Sequence, residues 1–174
     1  ILVWHENTVK TRKLFTHVNK NARQTTTAQN LLLDDEDLHA EITRRLEQDL
    51  PIFNKRVNWK GNSLSATSQF LTTAPVLAQS ARAWLDEYSI QSSLIEISES
   101  QVDQYYEEVK SIWKQIIDSV GPFQEALTGA AEMRQLRDRY IIHTPVGQLA
   151  MIYGVQHARE KDIPMETIAK RLSK

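Results

Sequence analysis

From Glu99 to Val120 the chain carries one unbroken apolar stripe: Val102, Tyr105, Tyr106, Val109, Ile112, Trp113, Ile116, Ile117 and Val120 recur three or four residues apart. That spacing gathers all of them on one side of an α-helix. A helix of this length with a wide apolar side is stable only when other elements cover that side. Ser98 with Gln101 forms a capping box at its start, and Gly121-Pro122 should stop it. The rest of the chain must therefore supply partners for a long central helix.

The partners are shorter segments with the same period. "AQNLLL" follows the Thr25 to Thr27 run, which favours a cap or turn. A helix is expected from Asp34 or Asp35, its acidic first turn matching the positive helix end, with Leu38, Ile42, Leu46 and Leu50 buried, Glu41 reaching Arg45 and Pro51 closing it. Pro75 opens another through about Leu85, with Val76, Leu77, Ala81 and Trp84 inward. Further helices are expected over 122–128, 130–142, 145–161 with Thr144 capping Pro145, and 164–173. Residues 54–73 hold no helical period, with a turn at Gly61-Asn62, and 86–97 read as a linker. At the start, "ILVWHEN" suits a buried strand, and from Asn7 or Thr8 a helix carries Leu14, Phe15 and Val18 inward. The fold expected is mainly α with one short N-terminal strand. Because the chain opens on Ile1 with a strand already under way, it is expected to be a fragment of a longer protein.

Composition narrows the function classes. The absence of cysteine removes disulfides, thiolate nucleophiles and Cys-ligated zinc. The longest apolar runs, such as "LAMIYGV", are far shorter than a membrane span, so no membrane partner is expected and a cytoplasmic location is the default. A net charge of −1 gives no global pull toward a polyanion, so any such site must be a local patch. The histidines at 5, 17, 39, 143 and 157 show no HxH, HxxxH or HExxH spacing, and no GxGxxG, GxxxxGK[ST] or GxSxG occurs. No metal and no cofactor is expected. Asp34, Asp35, Glu36 and Asp37 could offer hard oxygen ligands to Mg²⁺, but acids in a first helical turn need no ligand to be favourable.

Charge segregation singles out one stretch, "KLFTHVNKNARQTTTAQNLLLDDED" at residues 13–37. Between Thr8 and Leu33 there are five cations, Lys10, Arg12, Lys13, Lys20 and Arg23, and no acid. Cations on a helix face followed by Asn, Gln and Thr side chains can hold phosphates by charge and by neutral hydrogen bonds. On composition alone a solvated helix face accounts for this pattern equally well, and Asn19 and Asn21 can equally be caps of the helix end. A second set, Arg134, Arg137 and Arg139, is interleaved with Glu132 and Asp138 and reads as a salt-bridged face. The terminal "IPMETIAKRLSK" has the pattern of a first helix of a helix-turn-helix, but no recognition helix follows, so an amphipathic terminal helix is the better reading.

The same stretch resembles the DGQHR-domain, ParB-like family of DNA sulfur (phosphorothioate) modification proteins of the DndB type. The resemblance rests on a phrase of the form F-x-x-[IVL]-N-[KR]-N-A, here Phe15, Val18, Asn19, Lys20, Asn21 and Ala22, then Thr25 to Thr27, Leu31 to Leu33 and the acidic step Asp34 to Asp37. It implies that residues 1–53 are the C-terminal part of a ParB-like DGQHR region and 54–174 a helical domain packed on it, together a helical fragment of a mixed α/β protein. The family's Asp-Gly-Gln-His-Arg motif lies upstream of the matched segment, and no such pentapeptide occurs in this chain. No catalytic residue is therefore assigned. The implied function is a DNA-binding transcriptional regulator of a bacterial DNA-modification operon, with Lys10, Lys13, Asn19, Lys20, Asn21 and Arg23 as the nucleic-acid-binding set. Expected partners are double-stranded DNA, other DNA-modification proteins and a second copy of the chain. The alternatives are an accessory ParB-like nucleotide hydrolase, with ATP or CTP turnover residing in a longer protein, and a helical interaction scaffold that does not touch DNA.

Overall fold

The computed structural model describes residues 26–85, 94, 97–129 and 131–172. The strand expected at the start and the basic helix after it lie outside the described residues. Among those described, eight α-helices dominate: α1 (Thr27–Leu33), α2 (Leu38–Asp49), α3 (Ala74–Leu85), α4 (Glu99–Ser119), α5 (Gly121–Thr128), α6 (Met133–Arg139), α7 (Pro145–Arg159) and α8 (Met165–Leu172). The protein is mainly α, as its periodicity requires.

The central helix forms as its sequence dictates. Ser98 Oγ accepts from the Gln101 backbone N–H, and Gln101 Oε1 accepts in return from the Ser98 N–H at 3.1 Å. Val102, Tyr106, Val109, Ile112, Trp113, Ile116 and Ile117 are buried along it. Val120 breaks the helix by going extended, and Gly121-Pro122 do not form a loop: they open α5, where a proline lacking its N–H costs nothing.

Around α4 the other helices close one apolar cluster running from Leu38 and Ile42 through Trp84 and Trp113 to Ile152 and Ile168. Helix α3 is the most enclosed, packed between α2 and α7. Trp113 meets Phe53, Trp84 and Phe123 at ring-centroid distances of 5.1, 5.3 and 6.2 Å. Its indole N–H donates to Ser80 Oγ at 2.9 Å, so a large aromatic is buried without an orphaned polar atom. Ile168 and Ala169 of α8 pack inward, so this helix buries one side, as its apolar pattern requires.

Three expectations are corrected. Helix α2 begins at Leu38, not at Asp34 or Asp35, because Asp37 takes the capping position and its Oδ1 accepts from the Ala40 N–H at 2.8 Å. Asp34 instead ends α1 and its Oδ1 accepts from the Glu36 N–H, so the acidic run is a turn between helices, with Glu41 the acid in the first turn of α2. Residues 54–73 contain strands β1 (Val57–Asn58) and β2 (Thr72–Thr73), paired in parallel with Val57 opposite Thr72. Two-residue strands carry too little alternation to show in a sequence. The helix expected over 130–142 stops at Arg139, since Tyr140 turns extended and a 3-10 turn follows over Ile141–His143.

That 3-10 turn sits directly on α7. A Cβ at Gly147 would lie 2.0 Å from the Ile141 carbonyl oxygen, so only glycine permits the approach. Gly154, further along α7, has open space around it. We expect Gly147→Ala to destabilise the fold by about 1–3 kcal/mol through overpacking. Gly154→Ala should stabilise it by about 0.5–1 kcal/mol through helix propensity. Urea midpoints of the two variants check both signs.

His143, in the same turn, is wholly buried against Phe123 and Tyr140, with Nε2 3.0 Å from the Pro122 carbonyl oxygen. Burial, helped by the nearby Arg137 charge, pushes its pKa down despite the Pro122 carbonyl and Glu125. The folded state then binds fewer protons than the unfolded state just below the ordinary imidazole value of about 6.5. Stability contributed by neutral His143 is full above that value and is lost as pH falls through the lowered one. Urea midpoints should drop between pH 7.5 and 5, and His143→Gln should flatten that part of the profile.

Candidate functional site

Lys10, Lys13, Asn19, Lys20, Asn21 and Arg23 all lie outside the described residues, so the structure neither gathers nor separates them. The described chain begins at Thr26, in the polar turn that follows them. Thr26 caps α1, its Oγ1 accepting from the Gln29 N–H at 3.2 Å while its own N–H donates to Gln29 Oε1 at 3.0 Å. The Ala28 N–H donates to Asn62 Oδ1 at 3.0 Å, across to the loop between β1 and β2. This polar turn is thus tied at a defined place on the helical body.

One side chain on α6 makes several further bonds to the loop. The Arg137 guanidinium, on α6, donates to the carbonyls of Ala66 at 3.2 Å and Ser68 at 2.6 Å, and also to those of Ser65 and Phe70. Arg137 therefore does not belong to a salt-bridged face as its charged neighbours suggested, and burial pushes its pKa below the usual guanidinium value. Arg139 does pair with Glu125, at 3.0 Å. Buried Gln148 of α7 anchors β2: its amide donates to the Leu71 carbonyl at 3.0 Å and its Oε1 accepts from Thr72 Oγ1 at 2.6 Å.

Where α1, the loop, α3 and α7 meet they leave a groove of about 310 Å³. Leu31, Thr73, Val76 and Ala78 are its buried residues. Thr27, Asn62, Gln79, Arg82 and half-exposed Tyr153 supply its polar and aromatic rim, with Pro75, Pro145 and Leu149 completing it. Thr73 Oγ1 is buried without a hydrogen-bond partner. Exposed Arg82 makes no ion pair or hydrogen bond among the described residues. Chemically this is an apolar trough edged by a free cation, two amides, two hydroxyls and one ring.

A second hollow, about 440 Å³ and more open, is lined by Asn54, Lys55, Arg56, Gln69, Gly129 and Glu132 among others. Its Arg56 is already committed to the Ala126 carbonyl at 2.7 Å. A third cluster joins α2 to α4: Tyr106 Oη donates to Asp49 Oδ2, which also accepts from Lys110 Nζ at 3.1 Å. Burial and the bond to Asp49 push the Tyr106 phenol up to about 12. Burial opposes the Lys110 charge, but its bonds to Asp49 and Tyr106 prevail and hold it above the usual ammonium value, while Asp49 is held below the usual carboxylate range, chiefly by Tyr106. None of these three is poised near neutrality, so the cluster is a tie between helices, not an acid–base pair. No group of three or more His, Asp or Glu positioned for a metal ion occurs among the described residues, and no helix there is long and apolar enough to cross a membrane.

Sequence reasoning did not pick out Thr73, Gln79, Arg82 or Tyr153. They are far apart in the chain and each sits in a segment whose pattern speaks only of helix or turn. The sole local hint was the Thr run leading into Thr27.

A profile of the DndB family, described as DNA-sulfur modification-associated, matches residues 1–173. No curated protein and no solved structure matches the chain.

The two neighbouring threonines of β2 make a paired test of the groove's construction. Thr72→Val would leave Gln148 Oε1 buried and unpaired, which should cost about 1–3 kcal/mol. Thr73→Val removes a hydroxyl that already lacks a partner, so stability should hold or rise. Chemical denaturation of the two variants at one pH reads the difference.

Proposed function

We propose that this chain, which belongs to the DndB family of DNA-sulfur-modification-associated proteins, is a DNA-binding regulator of the operon it serves. The observation that carries this reading is charge segregation: five cations and no acid between Thr8 and Leu33, in a chain whose net charge is −1. Lys10, Lys13, Lys20 and Arg23 would contact phosphates, and Asn19 and Asn21 would fix backbone position by neutral hydrogen bonds. The partner is double-stranded DNA, at a promoter of the modification genes. Two supports come from outside that stretch. The family description ties such chains to DNA modification, and the polar turn after Arg23 leads into a firmly capped α1, which would give a DNA-contacting segment a rigid mount.

The test is binding to duplex DNA at several salt concentrations. Replacing Lys10, Lys13, Lys20 and Arg23 together by neutral residues should lower the slope of log affinity against log salt by roughly 1 per lost contact. Asn19→Ala and Asn21→Ala should reduce affinity with little change in slope. Unaltered affinity and slope in the charge-removal variant would take this stretch out of the binding surface and favour the interaction scaffold.

A further inference from the structure

We propose that the groove between α1, α3 and α7 binds a single nucleotide unit, its base against Tyr153 and the apolar trough and its phosphate on Arg82. The inference deepens the DNA-binding reading and rests on it for the source of the ligand. Its observations are independent of the basic stretch. A volume of about 310 Å³ is at the lower end of the ~300–1,000 Å³ of small-molecule sites, enough for one nucleotide and too small for a run of them. Leu31, Val76 and Leu149 offer an apolar surface and Tyr153, 50% exposed, an aromatic one, the pairing that holds an unstacked base. Arg82, on the same face of α3 as Gln79 and Val76, is a cation with no acid or carbonyl assigned to it among the described residues. Arg44, Arg45, Arg56, Arg137, Arg139 and Arg159 are engaged elsewhere, and Arg134 and Arg171, which like Arg82 make no bond among the described residues, do not line the groove.

Thr73 closes the floor of the groove with its side chain fully buried, so it shapes the trough without touching what enters it. Asn62 and Gln79 offer amides of both polarities for a base edge, although Asn62 already spends its oxygen on the Ala28 N–H.

The nucleotide unit can arrive free in solution or as an unpaired residue of DNA, and the experiment separates the two. Calorimetry of the intact chain with each deoxynucleoside monophosphate tests the free form. Anisotropy with a matched duplex and the same duplex carrying one unpaired nucleotide tests the other. Saturable mononucleotide binding supports the proposal, provided it weakens about tenfold or more in Tyr153→Ala and also falls in Arg82→Ala, with thermal melts unchanged. A preference for the duplex with the unpaired nucleotide that vanishes in Arg82→Ala and Tyr153→Ala supports it equally and assigns the DNA source. Neither binding nor preference, or either one surviving in both variants, overturns it. Mononucleotide binding that persists while duplex binding is absent would leave the groove standing and remove the DNA-binding reading instead.

Discussion

Everything in the described body turns on Trp113. It projects from the long central helix into contact with Phe53 after α2, Trp84 on α3 and Phe123 on α5, so one side chain touches three neighbouring segments. Aromatic pairs of this kind are worth about 0.5–1.5 kcal/mol each beyond their buried area. The indole N–H would make such burial costly if left alone, but Ser80 Oγ accepts it and its own O–H donates to the Leu77 carbonyl at 2.7 Å. A small polar residue inside a hydrophobic helix is thus a condition of the core, not a flaw in it.

From that hub a polar seam fixes how α3 and α7 lie together. The Trp84 indole donates to the Ile152 carbonyl at 3.1 Å, Arg159 bridges the Trp84 carbonyl and Glu108, and Gln148 holds both Leu71 and Thr72. Each bond is directional where apolar packing is not, so the seam sets the relative position of the two helices as well as their contact. The groove is the space left beside that seam. Its width is inherited from hydrogen bonds made by residues that do not line it.

The helices were legible because their stripes are long: the capping box at Ser98 and Gln101, the burial of Leu38, Ile42 and Leu46, and the Thr144-Pro145 start of α7 all follow from local pattern. Where two local preferences competed, the pattern misled. Asp34 to Asp37 satisfy both a helical first turn and a capping turn, and the deciding factor was where α1 ended. Arg137 read as part of a salt-bridged face because nothing in its own segment reveals four carbonyls from residues 65–70. The groove was illegible for the same reason, being assembled from parts of the chain that share no motif. The phosphate-binding set read from sequence falls outside the described residues, and so stands on charge pattern and family.

The seam has a consequence for how the chain acquires its shape. Leu71 and Thr72 with Gln148, Trp84 with Ile152, and Arg137 with the loop carbonyls are bonded partners between 67 and 77 residues apart. Local helices such as α4 can form as soon as their own residues exist, whereas long-range contacts wait for the entropy of loop closure to be met. During synthesis from the N-terminus, α3 therefore emerges well before its partner α7. In that interval the Trp84 indole and the Leu71 carbonyl have no acceptor or donor of their own, and the side of α3 that will face α7 is open. The nascent chain is at its most adhesive then, and an α7 from a neighbouring copy would fit the vacancy as well as its own.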